Sequence, residues 1–353
     1  MNLTNQYRFN MKNKINLLEL FSGIGGFTLG LQQSGFEIGN HYFSEIDKHA
    51  IAVYKHNFKK AKHVGSVTDV SGRGINPDII TFGSPCQDFS LAGKRTGLKG
   101  ERSSLIIEAI RLVAEYRPSV FIWENVKGAF SSNGGADFAA ILQAFTNIGG
   151  YRLEWQLLNT RWLLPQNRER IYLIGHLAGT SRPKVFPIRE KDFLFSESKI
   201  NAEKQIASCL LSQGNGHIAN GEYKGMNLIQ IKSATKQGYE LAGIGDSISL
   251  KYPNSETRRG RVGKGVSQTL QTNSEQGVLI PKPEPYTMGD SKNSIRRLTE
   301  IEYERLQGFP DNWTKYGDYN GQIRQVSGTQ RYKMCGNAVT VDIIELIGNK
   351  MLE

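Results

Sequence analysis

The stretch Glu19-Leu20-Phe21-Ser22-Gly23-Ile24-Gly25-Gly26-Phe27 decides how this chain is read. Residues 15–21 are an apolar run of strand length, the glycines form a turn, and residues 27–33 carry a helical pattern. A strand that gives way to a helix through a glycine turn opens a parallel α/β sheet. Glycines after a first strand also let the backbone approach a ligand closely. The spacing is not the GxGxxG dinucleotide fingerprint, so a tight structural turn and a cofactor turn fit the pattern equally well. Glu45 tips the balance. It closes the next strand, residues 38–43, about 20 residues after the turn, where an acid can bind ribose hydroxyls.

Further strands are expected at residues 78–82, 119–123 and 170–176. Phe138, Ile141, Leu142, Phe145 and Ile148 recur at helical spacing, so one face of that helix covers the sheet. After about Pro187 the texture changes. Residues 188–294 are rich in Gly, Ser, Asn, Gln and Lys and have no clean period, as in a smaller, loop-rich second domain with short strands. The chain ends in a helix over residues 341–351.

With 353 residues and 39% hydrophobic content, two ordinary globular domains are expected. No apolar run approaches the roughly 20 residues of a membrane span. The polar opening, residues 1–12, is not a secretory signal and reads as a dispensable arm. Cys86, Cys209 and Cys335 are far apart and form no CxxC pair. That excludes a disulfide framework and a zinc ribbon, and points to a reduced, cytoplasmic setting without a metal. The net charge is +11, and some of the basic residues cluster in two loops. One holds Lys94, Arg95, Lys99 and Arg102, the other Arg258, Arg259, Arg261 and Lys264. Clustered cations in loops favour contact with a polyanion.

Three segments carry the chemistry. Gly83-Ser84-Pro85-Cys86-Gln87 puts a cysteine at the carboxyl end of a strand, where open α/β sheets bind ligands. Its polar, glycine-rich surroundings argue against a buried structural thiol, and Gly93, Gly97 and Gly100 punctuate a lid-like basic segment after it. Glu124-Asn125 ends the apolar run 120–123, where desolvation disfavours a charged carboxyl and suits it to donate a proton. A helix-capping or salt-bridged acid is the alternative there. In Gln166-Asn167-Arg168-Glu169-Arg170 the two arginines alternate. On an extended segment both project to one side and suit a paired grip on a phosphate or base carbonyl.

Together with Arg305-Leu306-Gln307-Gly308-Phe309-Pro310 and Gly336-Asn337-Ala338-Val339, these segments, in this order, resemble the cytosine-5 DNA methyltransferase family. The resemblance covers about residues 15–176 and 296–350. It implies a doubly wound, Rossmann-like S-adenosylmethionine-dependent domain built from residues 1–186 and 309–353. Residues 187–308 would form a target-recognition domain closing a cleft over double-stranded DNA. Cys86 resembles the nucleophile, Glu124 the acid at N3, Arg170 the base-carbonyl holder and Arg168 its helper. Phe21, Gly23, Gly25, Gly26, Glu45, Ile46, Val67, Pro85, Leu105, Asn337 and Val339 resemble cofactor residues. Gln87, Ser90, Lys94, Arg95, Arg258 and Lys264 resemble DNA contacts. A monomer is implied, with a restriction endonuclease of the same specificity as a functional counterpart. A tRNA methyltransferase, an inactive DNA-binding relative and a nucleotide-dependent oxidoreductase are the competing readings. The long middle region speaks for DNA over tRNA, the intact motifs speak against an inactive relative, and only the glycine turn suggests an oxidoreductase. One departure stands out. Where the family has Gly-Asp before an apolar residue, this chain has Gly65-Ser66-Val67-Thr68-Asp69, so the acid that meets adenine is missing or displaced to Asp69.

Overall fold

A computed structural model describes residues 13–72, 74–84, 104–180, 183–189, 228–281 and 293–353. The large sheet is built in chain order from β1 (Lys14–Leu20), β2 (Glu37–Ser44), β3 (Lys62–His63), β4 (Ile79–Gly83), β5 (Val120–Val126), β6 (Tyr151–Asn159) and, after the short β7 (Gln166–Asn167), β8 (Glu169–Leu177). Their spatial order is β3-β2-β1-β4-β5-β8-β6. The pairs from β3 to β5 are parallel, while β8 runs antiparallel to both β5 and β6.

Residue parity explains the layers, because successive strand side chains point to opposite faces. Leu17, Ile79 and Ile122 enter one core, and Leu18, Ile80, Phe121 and Trp123 enter the other. The first core is covered by α1 (Gly26–Gln33) and by α8 (Val341–Leu352) from the far end of the chain. A side chain at Gly30 of α1 would collide with Ile344, so the two termini are joined by close helix packing. The second core is covered by α3 (Ser104–Tyr116) and α5 (Ala136–Asn147). α2 (Lys48–Asn57) lies between β2 and β3, and α4 (Lys127–Ser131) follows β5.

The middle region has a small core of its own, made of Ile231, Ala242, Ile248 and Leu279. It is formed by β9 (Ile229–Lys232), β10 (Tyr239–Ala242), β11 (Ser247–Ser249), β12 (Val262–Gly263), β14 (Gln276–Pro281) and β15 (Asn293–Arg297). Val278, next to Leu279 and on the opposite face, packs instead with Leu298, Tyr303 and Met334. Between these strands β13 (Ser267–Gln268) pairs in parallel with β7, immediately before Arg168. Gln166, fully buried, fastens this seam: its amide donates to the Leu306 carbonyl at 2.6 Å and its oxygen accepts from Leu270 N at 3.1 Å. Then come α6 (Glu300–Leu306), a hairpin of β16 (Tyr316–Tyr319) and β17 (Gln322–Gln325), and α7 (Gly328–Asn337). Among the described residues no helix is long and apolar enough to cross a membrane.

One expectation changes. The sheet is parallel from β3 to β5 but mixed as a whole, because β8 runs antiparallel to β5 and β6. Residues 293–297 pair with β14 and extend the smaller sheet.

Candidate active site

Strand order reverses between β2-β1 and β4-β5, and a doubly wound sheet binds ligands beyond the carboxyl ends of its strands at such a switch point. A cavity of about 520 Å3 lies there. Phe21, Glu45 and Val67 line one end of it, Glu124 and Arg170 line the other, and Lys333 and Asn337 supply a wall from the C-terminal segment.

The glycines of the turn divide their work. Gly23 has φ +53° and open space where a Cβ would stand, so its backbone faces the cavity. A Cβ at Gly25 would strike the Phe58 ring and one at Gly26 would strike Val339. Those two glycines permit close packing and do not line the cavity. Val339 is likewise buried in the core, with Asn337 taking the cavity wall. Phe21 adopts a left-handed backbone at φ +49°, an unfavourable geometry for a ring-bearing residue and a frequent mark of functional sites. Beneath the turn the buried carboxyl of Glu19 accepts from Thr28 and Tyr54. Burial pushes its pKa up to about 7, against the pull of those hydrogen bonds.

Glu45 is oriented by three main-chain donors. Gly23 N donates to one oxygen at 2.8 Å, and Ile46 N and Asp47 N donate to the other at 2.8 and 2.9 Å. An ionised carboxylate offers about four acceptor sites, so one remains on the oxygen shared with Gly23. Asp47 caps α2 and meets Lys333 at 2.6 Å, which ties the β2 end to α7 across the cavity. Burial alone would raise the Asp47 carboxyl, but the Lys333 ammonium and the N–H groups of His49 and Ala50 hold it below its ordinary range.

At the other end, Arg170 Nε lies 3.0 Å from Glu124 Oε1, an ion-pair distance without the alignment of a hydrogen bond. Both side chains are about one-eighth exposed, at 13% and 12%. The antiparallel course of β8 produces this pair. Its first residues reach the carboxyl end of β5, with Val126 opposite Arg170 and Glu124 opposite Tyr172, so Glu124 and Arg170 are same-face diagonal neighbours. Gly83 stands beside Glu124, and a Cβ there would press on the carboxylate at 3.2 Å. The acid is therefore salt-bridged rather than isolated on an apolar strand.

Arg168 does not pair with Arg170 in a common grip. Its side chain is buried, and the guanidinium donates to the main-chain carbonyls of Ala338 at 2.7 Å and Gly336 at 3.4 Å. It holds the Asn337 wall against the sheet. Arg168→Ala is therefore expected to cost about 2–4 kcal/mol of stability, on the scale of buried charged hydrogen bonds. It should also weaken binding of S-adenosylhomocysteine. Thermal melts with and without this ligand check both effects; an unchanged melting temperature would leave Arg168 as a substrate contact only.

Pro85, Cys86, Gln87, Ser90, Lys94 and Arg95 lie outside the described residues. The strand end that leads to them is fixed: Ser84 Oγ accepts from Trp123 Nε1 at 3.0 Å and from Asn125 Nδ2 at 3.2 Å, and all three residues are buried. Cys335 is fully buried and desolvation pushes its thiol far up, so it is unsuited to act as a nucleophile. In the middle region Arg258 donates to Ser249, and Lys264 meets Asp246 at 2.9 Å. Arg261 is buried against the carbonyls of Lys232, Ser249 and Pro253. That cluster is thus largely occupied with its own chain.

The cavity fits S-adenosylmethionine. Its volume lies in the usual range for small-molecule sites, Gly23 leaves a cradle, Glu45 is preset as an acceptor, and Leu105 and Val67 add apolar wall. Sequence reading assigned no task to Asp47, Lys333 or Ser84, and only contacts reveal what these residues do.

Comparison with known proteins agrees with this geometry. The model of the family described as C-5 cytosine-specific DNA methylase matches residues 15–353. Similar relatives include the type II methyltransferase M1.ScrFI of Lactococcus lactis subsp. cremoris, 32% identical over 96% of this chain and 78% of that protein. The type II methyltransferase M.HpaII of Haemophilus parainfluenzae is 29% identical over 98% of this chain and 91% of its own. Among solved structures, the Entamoeba histolytica methyltransferase EhMeth superposes with a TM-score of 0.60 at 18% identity, covering 96% of this chain and 98% of its own. The fold, the cavity and the ordered motifs converge, and the chain belongs to the C-5 cytosine-specific DNA methylase family, whose members use S-adenosylmethionine.

Proposed function

We propose that this chain methylates a cytosine flipped out of a specific double-stranded DNA sequence, through a covalent bond between Cys86 and carbon 6 of the base. The observation that carries this reading is one continuous cavity with the cofactor-type residues Phe21 and Glu45 at one end and the Glu124–Arg170 pair at the other. Cytosine N3 and O2 are on adjacent ring positions. A carboxyl and a guanidinium 3.0 Å apart can meet one each. Arg170 donates to O2 and Glu124 gives a proton or hydrogen bond to N3.

Carbon 5 of cytosine is a poor nucleophile. Addition of the Cys86 thiolate to carbon 6, with N3 stabilised by Glu124, makes the ring enamine-like. S-adenosylmethionine, when bound, supplies an electrophilic methyl group that carbon 5 takes up. With S-adenosylhomocysteine as the leaving group, loss of the carbon 5 proton to water, return of the N3 proton to Glu124 and departure of the thiolate then restore the ring and the enzyme. A base inside the stack cannot reach such a site, so it must be extruded.

Residues 187–308 would read the DNA word as a target-recognition domain, and the β7–β13 seam would couple that reading to Arg168 and Arg170. The protein would act as a cytoplasmic monomer and protect DNA from an endonuclease of the same specificity without forming a stable complex. Bisulfite sequencing of DNA from cells expressing the chain tests the proposal. Protected cytosines confined to one sequence word are expected; protection absent from DNA but present in RNA would overturn it.

A further inference from the structure

The edge of the large sheet at β2 and β3 carries positive charge that the site does not use. No acidic residue falls between Lys48 and Thr68, while Lys48, Lys55, Lys59, Lys60 and Lys62 all do. The β16–β17 hairpin, from the far end of the chain, packs on α2 and adds Lys315 and Arg324. A Cβ at Gly317 would stand 2.9 Å from that of Ala52, so hairpin and helix are in close contact. Two polar contacts lock them together. Asn57 Nδ2 donates to the Trp313 carbonyl at 3.1 Å, and His49 Nδ1 lies 2.7 Å from the Tyr319 hydroxyl. The two distant segments thus form one rigid surface.

Its cations are contiguous. His56 on α2 and Tyr316 on the hairpin have ring centroids 6.2 Å apart, and Lys315 Nζ lies 5.5 Å from the Tyr316 centroid. Burial, and then the neighbouring Lys59 ammonium, hold the His56 imidazole below its ordinary range against the pull of Asp318. Lys60, next to Lys59, is exposed. Asp318 is the one acid of the hairpin strands and their turn, and its carboxylate accepts from Gly321 N at 2.6 Å. Among the described residues no carboxylate forms an ion pair with Lys55, Lys59, Lys60, Lys315 or Arg324. A merely solvated helix face carries alternating signs. Fixed cations without countercharge, set around a Tyr316 ring that is 40% exposed, match the phosphates of a nucleic acid.

The patch lies away from the cleft. β3 and β8 are five strand positions apart, roughly 24 Å at about 4.8 Å per step, and the middle region joins at the β7–β13 seam just before β8. DNA held in the cleft brings its own flanking phosphates to the rest of the surface at high effective concentration, so a few weak contacts suffice there. No other polyanion arrives tethered. Resting on the DNA reading above, we propose that the face shared by α2 and the hairpin is a second DNA-binding surface. It takes the phosphate backbone of duplex outside the recognised word and reads no sequence.

Binding of the purified full chain to two duplexes tests this, each bearing the word mapped by bisulfite sequencing. One has about 12 bp, with ends roughly 20 Å from its centre at about 3.4 Å per pair, too short to reach the patch from the cleft. The other has about 600 bp, several times the persistence length of roughly 150 bp, and can fold back on the protein. The triple variant Lys59→Gln, Lys60→Gln, Lys315→Gln should bind the long duplex about 10-fold more weakly than wild type at about 0.1 M salt. Its slope of log affinity against log salt should be shallower by about 2–3, since each lost phosphate contact removes about 0.9. On the short duplex, affinity, salt slope and single-turnover methylation should match wild type. The corresponding triple Lys→Arg variant keeps the charge and should bind both duplexes as wild type does. Equal loss on both duplexes would place these lysines in the cleft, and an unchanged long-duplex affinity would make the patch a solvated face; either result overturns the second surface. A loss on long single-stranded RNA but not on long DNA would overturn it in favour of RNA. If the wild-type chain failed to methylate even the short duplex, the DNA methyltransferase reading itself would fall, and the second surface with it.

Discussion

Cys86→Ser is expected to abolish methyl transfer while cofactor and DNA affinity stay within a few-fold of wild type. A thiolate is available near neutral pH and is intrinsically nucleophilic, whereas a serine hydroxyl holds its proton. Removing the nucleophile of a covalent mechanism can cost on the order of 10⁶-fold in rate. The buried thiol of Cys335 cannot take over. The substitution also leaves intact the anchor of the strand end, where Trp123 and Asn125 hold Ser84. Two measurements separate loss of chemistry from loss of structure. DNA carrying 5-fluorocytosine cannot release its carbon 5 substituent as a cation, so it should trap the wild-type protein covalently and the serine variant not at all. Titration with S-adenosylhomocysteine should give similar affinities for both. Turnover of the serine variant at the wild-type rate would show that Cys86 is not the nucleophile.

The parts of the fold that depend on local pattern are legible in the sequence. Strands β1, β4 and β5 are short apolar runs ended by turn or polar residues, and the helix at Ala136–Asn147 shows its buried face in Phe138, Ile141 and Phe145. The direction of β8 was not legible, because an apolar run looks the same in either direction. Yet that direction brings Arg170 to Glu124. The task of Arg168 was hidden for a related reason. Alternation along a strand says which side a residue faces, but not that carbonyls 168 and 170 residues further along the chain wait there. The glycines of the turn are ambiguous in the same way. Gly23, Gly25 and Gly26 look equivalent in sequence, and only the nearness of Phe58 and Val339 distinguishes packing from cradle.

Glu124→Gln is expected to slow methylation in single-turnover experiments by about 10²–10⁴-fold, the usual contribution of a general acid. The amide keeps the shape and can donate a hydrogen bond, but it cannot deliver a proton to N3. The ion pair adds a second consequence. Arg170 is 13% exposed and would lose the carboxylate 3.0 Å away, leaving a poorly solvated guanidinium without its countercharge. Some loss of stability should therefore accompany the kinetic defect, and the two must be measured apart. Glu124 meets the base while the thiolate attacks, so its effect belongs to the transition state, and DNA affinity should remain within a few-fold of wild type. Slow covalent trapping on 5-fluorocytosine DNA should persist because Cys86 is still present, in contrast to the serine variant. Saturating S-adenosylhomocysteine in a thermal melt reports how much of the fold survives. A variant that methylates at the wild-type single-turnover rate, or that loses only DNA affinity, would reduce Glu124 to the structural partner of Arg170.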